Sequence, residues 1–281
     1  MYVVLGAAGN VGSSVVEALR PSGERIFAIV HSAEKAAAIT GGNVEAVIQD
    51  VSDAAGLRAV FRQGKRAFLL NPPAAPTTDT NAEELRTARS IAAALEGSGL
   101  EKLVLQSTYG AQRGDGIGDL SVLYELERLV EASGIPAAIN RAAYYYTNLA
   151  MLLEQAGHGA ITTPFPADLE IPMVSPADLG QAAAARLTSP VADTGLHYVE
   201  GPSRYTFTDV AAAFSSLLGK PVSVETTPRD QLEQSFREAG FSPTAARAFA
   251  RMMEATIDGP ELPSNPRRGK VTLEAYIAGL A

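Results

Sequence analysis

The stretch Gly6-Ala7-Ala8-Gly9-Asn10-Val11-Gly12 lies between an apolar run, Tyr2-Val3-Val4-Leu5, and a segment with helical spacing, Val11–Arg20. Three glycines at this spacing constrain the chain more than any other feature. One permits a sharp turn out of a strand. Another lets the backbone approach a ligand closely, and the third lets the following helix pack against the strand. That helix then offers free N–H groups and a partial positive charge, which suit a phosphate. A lone GxxGxxG is weak evidence. This one follows the first apolar run and heads a strand–helix series, and that context predicts a dinucleotide-binding turn.

The series continues for about 140 residues. Apolar runs at Ile26–Val30, Val44–Ile48, Ala67–Leu70, Leu103–Leu105 and Ala137–Ile139 alternate with helical segments Ala33–Ile39, Ala54–Arg62, Thr80–Leu95 and Asp119–Ala132. The runs are nearly continuous in hydrophobicity, as strands buried on both faces should be. Ser52 or Asp53 is placed to cap the third helix, and Gly99 follows the fourth. Strand–helix alternation with right-handed crossovers predicts an α/β fold, a Rossmann-like doubly wound parallel sheet. After residue 140 the rhythm changes, with prolines at 164, 166, 172 and 176. Helices are expected at Ala177–Leu187, Thr208–Leu218, Arg229–Ala239 and Pro243–Ile257, strands at Leu196–Val199 and Val222–Thr226, and a loop at Gly259–Gly269. The expected division is a dinucleotide-binding domain, 1–140, and a smaller α+β substrate region, 141–281, interleaved with the end of the sheet.

Composition removes other chemistries. The 281 residues include no Cys and no Trp, and three His with no HExxH pair. Disulfides, thiolate nucleophiles and cysteine-held metals are excluded, and no histidine metal site is expected. The 23 Lys+Arg against 31 Asp+Glu give a net charge of −8, which argues against a nucleic-acid partner. No apolar run approaches the roughly 18 residues of a membrane span. The N-terminus lacks a positive region and its glycines suit a turn, so it is expected to be mature structure in a cytoplasmic protein.

The edge beyond the strands carries the remaining cofactor signals. NAD-preferring folds place an acidic residue about 20 positions past the glycine turn, on the ribose 2′-OH. Here His31 and Ser32 hold that place, with Lys35 one turn on. With no carboxylate to repel a 2′-phosphate and a cation in reach, NADP(H) is expected over NAD(H), which stays open as the second choice. Asp50 and Val51 follow the third strand beside the expected adenine position. Asp50 is read there either as an adenine contact or as a cap of the next helix. Asn71-Pro72-Pro73 stops the fourth strand and stiffens its C-terminal loop.

These segments together resemble the NmrA-like group of atypical short-chain dehydrogenases. The resemblance rests on GAAGNVGSSVVEAL, VHSAEKA, QDVSD, FLLNPP, LVLQSTYGA and LVEASGIPAAINRAAYYYTN, then VSPADLGQAAAARL and GPSRYTFTDVAAAFSSLLGKPVSVE, nearly the whole chain. It implies that Gly6, Gly9, Asn10, Val11 and Gly12 hold the pyrophosphate, that His31 takes the place of the family's arginine, and that Lys35 matches its 2′-phosphate lysine. It also sets Asn71, Pro72, Ser107, Thr108 and Arg141 on the cofactor side. The family's Arg-Pro-Gly reads Arg141-Ala142-Ala143 here, and Asn148 matches the asparagine that ends that segment. The group includes NADPH:quinone reductases and non-enzymatic NADP-sensing regulators.

Short-chain dehydrogenases pair a Ser with Tyr-x-x-x-Lys, the Tyr donating a proton and the Lys lowering its pKa. The resemblance places those last two positions at Asp119 and Leu123, and neither residue can do that work. Tyr124 and Arg128 lie one residue off, about 100° around the helix, and a guanidinium relays no proton. Tyr109 and Tyr144 are therefore read as the catalytic candidates, and Tyr109, Tyr144, Tyr145 and Asn148 as the substrate wall. The first functional reading is an oxidoreductase passing hydride from NADPH to a quinone-like or small conjugated carbonyl, working as a monomer or homodimer on a small-molecule substrate. The alternative is a cofactor sensor that binds a protein partner.

Overall fold

The computed structural model of the protein describes residues 1–259 and 262–280. The first half runs β1 (Tyr2–Val4), α1 (Asn10–Leu19), β2 (Ile26–Val30), α2 (Ala33–Ile39), β3 (Val44–Ile48), α3 (Ala54–Phe61), β4 (Arg66–Leu69), α4 (Thr80–Leu95), β5 (Lys102–Thr108), α5 (Asp119–Ala132) and β6 (Ala137–Ala142). The second half runs β7 (Tyr144–Tyr145), α6 (Tyr146–Ala150), α7 (Leu153–Gly157), β8 (Ala160–Thr163), β9 (Ile171–Val174), α8 (Pro176–Thr188), β10 (Gly195–Glu200), β11 (Arg204–Tyr205), α9 (Phe207–Leu218), β12 (Ser223–Thr226), α10 (Leu232–Glu238), α11 (Pro243–Ile257), β13 (Arg267–Arg268) and α12 (Leu273–Ala278).

The central sheet is wholly parallel, in the order β13-β10-β6-β5-β4-β1-β2-β3. Its first six strands in sequence give the order 3-2-1-4-5-6 of a Rossmann-type doubly wound fold, with the direction of winding reversing between β1 and β4. Each strand alternates its side chains between two cores. Tyr2, Val4, Ala28, Val30 and Phe68 face α1 and α8. Val3, Leu5, Phe27, Ile29, Leu69 and Leu105 face α3, α4 and α5. A third core, built on Tyr146, Phe165, Phe207 and Phe214, belongs to the smaller sheets β11-β9-β7 and β12-β8 with α9 and α12. Among the described residues, no helix is long and apolar enough to cross a membrane.

Most expected elements are present within a residue or two. Asp53 is the N-cap of α3, accepting the N–H groups of Ala55 and Gly56. Three expectations are corrected. The helix foreseen over Arg229–Ala239 is a 3₁₀ turn, Arg229–Gln231, followed by α10. The loop foreseen at Gly259–Gly269 contains β13, whose Arg267–Arg268 pairs with Val199–Glu200; Pro260 and Glu261 of that stretch lie outside the described residues. The helix near 177–187 covers the main sheet and packs closely on α1. A Cβ on Gly180 would lie 2.5 Å from the Ser14 backbone, so only glycine permits that approach.

Candidate cofactor and substrate site

β1 ends at a turn built by steric exclusion. Gly6 has φ +67°, and a Cβ there would lie 2.9 Å from Leu70 Cδ2. A Cβ on Gly12 would stand 2.1 Å from the Gly6 carbonyl oxygen. The Gly9 N–H donates to that same oxygen at 2.9 Å, closing the turn. α1 then starts at Asn10 with no side-chain cap, so the N–H groups of Asn10, Val11 and Gly12 face outward at the positive end of the helix. A cradle that side chains would fill, lined by uncapped N–H groups, fits a pyrophosphate.

At the neighbouring strand ends, His31 and Lys35 are exposed, and the Ser32 hydroxyl accepts the Lys35 N–H at 3.2 Å as N-cap of α2. Asp50 does not cap α3. It accepts the Ser52 N–H at 2.8 Å in a tight turn, and that bond holds its carboxyl below the usual range. Its exposed side chain and half-buried Val51 remain at the mouth of the edge. Asn71 donates through Nδ2 to the Glu84 carbonyl at 3.1 Å, which ties the Asn71-Pro72 loop to α4.

Two buried carboxylates organise the strand ends on the other side of β4. Glu127 accepts the Ser107 hydroxyl and a two-pronged contact from Arg141, Nε at 2.8 Å and a terminal nitrogen at 2.7 Å. Ser107 and Arg141, both expected on the cofactor side, are thus hydrogen-bonded to the same carboxylate. Half-buried Thr108 is left at the edge. Glu200, fully buried at the end of β10, accepts the Tyr109 hydroxyl at 2.8 Å and is ion-paired with Arg204 at 3.0 Å and Arg268 at 2.8 Å. Sequence reading missed Glu200, because its partners arrive from three separate segments. The signal was an acidic residue between an expected strand and Gly201-Pro202.

The tyrosines separate by environment. Tyr146 is core, its hydroxyl donating to the Val271 carbonyl at 3.3 Å. Tyr144 packs edge-on against Phe165 at 5.6 Å and lies beside the Asn148 side chain, and burial pushes its hydroxyl up to about 12. Burial, then the Asp119 charge, raises Tyr145. Tyr109 stands edge-on to Tyr198 at 4.9 Å, and burial plus its bond to Glu200 hold its proton tightly. Arg128, one turn from Tyr124, is exposed and faces Glu131 at 3.6 Å. A carboxyl pair, Glu84 of α4 and Asp119 of α5, adjoins Tyr145.

Sheet order, glycine cradle and strand-end loops define a Rossmann-type α/β protein with its site at the C-terminal edge of the sheet. The pattern of the NmrA-like family matches residues 2–259, and the chain belongs to that family. It is similar to an NAD(P)H azoreductase of Xenophilus azovorans, 22% identical over 250 residues, covering 89% of this chain and 85% of the relative. Its fold matches the NADPH-dependent quinone oxidoreductase of Escherichia coli complexed with NADPH, with a TM-score of 0.82 at 21% identity over 100% and 99% of the two chains. It matches the triphenylmethane reductase of Citrobacter sp. complexed with NADP(H) equally well, at 0.82 and 21% over the full length of both.

Proposed function

We propose that the protein is an NADPH-dependent oxidoreductase that reduces a quinone-like or small conjugated carbonyl substrate. The observation that carries the reading is the uncapped glycine cradle at the reversal point of the sheet. Reductases of azo dyes, quinones and triphenylmethane dyes among its relatives and fold neighbours support it. The sensor alternative draws no support from the relatives described above.

When bound, the dinucleotide supplies the hydride. In this reading Gly6, Gly9 and the N–H groups of Asn10, Val11 and Gly12 hold its pyrophosphate. Lys35 and His31 face the 2′-phosphate, Asp50 and Val51 border the adenine, and Asn71, Pro72 and Thr108 line the path to the nicotinamide. Ser107 and Arg141 act indirectly, by fixing Glu127 and the ends of β5 and β6. Tyr109, Tyr144 and Tyr145, with Asn148, serve as walls for a flat substrate, because all three hydroxyls hold their protons too tightly to release them near neutral pH. Residues 1–140, with the later strands that widen the same sheet, form the cofactor unit, and the small sheets of 141–281 frame the substrate. A cytoplasmic monomer or homodimer goes with this reading.

The test is NADPH consumption with a panel of quinones and azo dyes, beside titrations of NADPH and NADH. Turnover with tighter NADPH binding is expected. Tight NADPH binding with no turnover on any acceptor sinks the enzymatic reading. Tyr109→Phe and Tyr144→Phe should change KM for the acceptor more than kcat.

A further inference from the structure

An aromatic wall orients a flat acceptor only if its own ring is held still. Tyr109 follows the last residue of β5, and its N–H donates to the Ala142 carbonyl at 2.9 Å. Its half-buried side chain packs on the core that holds Ala7 and Val11 of the glycine turn. The hydroxyl donates to Glu200 Oε1 at 2.8 Å. The ring meets Tyr198 of β10 edge-on, with centroids 4.9 Å apart. Tyr198 is held in turn by Arg141, which donates to its hydroxyl at 3.4 Å and turns its other two nitrogens to Glu127.

Glu200 is fully buried and is reached from two further segments. Arg204 of β11 donates to Oε1 at 3.0 Å and to Oε2 at 3.2 Å, and Arg268 of β13 stands 2.8 Å from Oε2. A carboxylate has about four acceptor sites. The Tyr109 hydroxyl and these guanidinium contacts fill them, so Glu200 has nothing left to offer a substrate directly. The arginines are themselves anchored, Arg204 on the Pro263 carbonyl at 3.2 Å and Arg268 on the Gly201 carbonyl at 3.3 Å. The Gly269 N–H donates to the Glu200 carbonyl at 2.6 Å, which joins β13 to the same residue. A buried ion cluster rarely stabilises a fold more than well-packed apolar side chains would. What this one adds is direction. A phenol held at its hydroxyl and at its ring edge keeps one orientation.

We propose that Glu200 is a positioning residue for the substrate site: through the Tyr109 hydroxyl it sets the angle of that ring, and through Arg204 and Arg268 it ties the angle to β11 and β13. A ring already in place costs nothing to order when a flat acceptor binds. Loss of Glu200 therefore weakens acceptor binding and leaves the NADPH cradle, built by the glycine turn, as it is. This inference rests on the reading of Tyr109 as a wall of an oxidoreductase site.

The experiment measures KM and kcat for a quinone, and Kd for NADPH, in Glu200→Gln and Arg268→Gln, each alone and combined with Tyr109→Phe. Glu200→Gln should raise the acceptor KM about tenfold, the scale of one hydrogen bond to a charged group, with kcat and the NADPH Kd little changed. In the Tyr109→Phe background it should add less than about twofold, because the bond it acts through is already gone. Arg268→Gln changes an exposed edge strand and leaves the core intact, so it reads the same coupling if Glu200→Gln fails to fold. It should raise KM by a smaller factor and lose that effect without the Tyr109 hydroxyl. In protein with labelled tyrosine rings and no cofactor or acceptor, the NMR signal of Tyr109, identified by its loss in Tyr109→Phe, should shift in both variants. Equal KM factors with and without the hydroxyl, an unchanged KM, or an unmoved ring signal overturns the assignment and leaves the oxidoreductase reading standing. No wild-type turnover on any acceptor overturns that reading and this one with it.

Discussion

Gly12 has no room for a methyl group, because its Cβ would meet the Gly6 carbonyl oxygen at 2.1 Å. Gly12→Ala must push α1 away from the turn that its N–H groups complete. We expect a loss of about 1–3 kcal/mol in stability by urea denaturation, the usual cost of overpacking. NADPH affinity, read by fluorescence titration, should fall at least about tenfold, equivalent to about 1.4 kcal/mol of binding. The glycine roles were legible in the sequence because sterics at one residue depend on local backbone. The chemistry of Tyr109 was not. A phenol reads as an acid until its neighbours are known, and the neighbour here, Glu200, comes from a distant segment.

Elements show the same division. α1 and α8 each follow from helical spacing, and Ser175 caps α8 by accepting the Asp178 N–H. Their contact did not follow, because no periodicity tells which helix lies across which. At Gly180 the two helices approach closely, and a methyl group there would overlap the Ser14 backbone. Gly180→Ala should therefore spread the pair and tilt the N-terminus of α1. Urea denaturation should show a loss of about 1–3 kcal/mol, and NADPH titration should show weaker binding, although residue 180 lies outside the glycine cradle. A stability loss with unchanged cofactor affinity would separate the helix contact from the site.

At the scale of the whole molecule, the pair of buried carboxyls leaves a mark on stability. Burial and the nearby Asp119 charge raise Glu84 from 4.5 to about 8. The folded protein therefore holds a proton that the unfolded chain releases above 4.5. Stability that is full below that value is lost as pH rises toward about 8. Glu84→Gln removes this titration, so its urea midpoint should stay flatter across the same window and exceed that of wild type at its upper end. A wild-type midpoint that does not fall there contradicts the protonated pair.

The doubly wound parallel sheet, the glycine turn and the near-continuous hydrophobicity of the runs were determined by the sequence itself. They rest on backbone sterics, spacing and the short-range rules of parallel crossovers. Tertiary structure alone decided that β10 and β13 extend the first sheet, that α8 seats α1, and that Glu127 and Glu200 gather the arginines at the strand ends. It also brought Asp119 against Glu84. Those outcomes depend on which surfaces meet in space, and the charge state of a side chain is set by that meeting, because desolvation and a second charge act over ångströms and not along the chain.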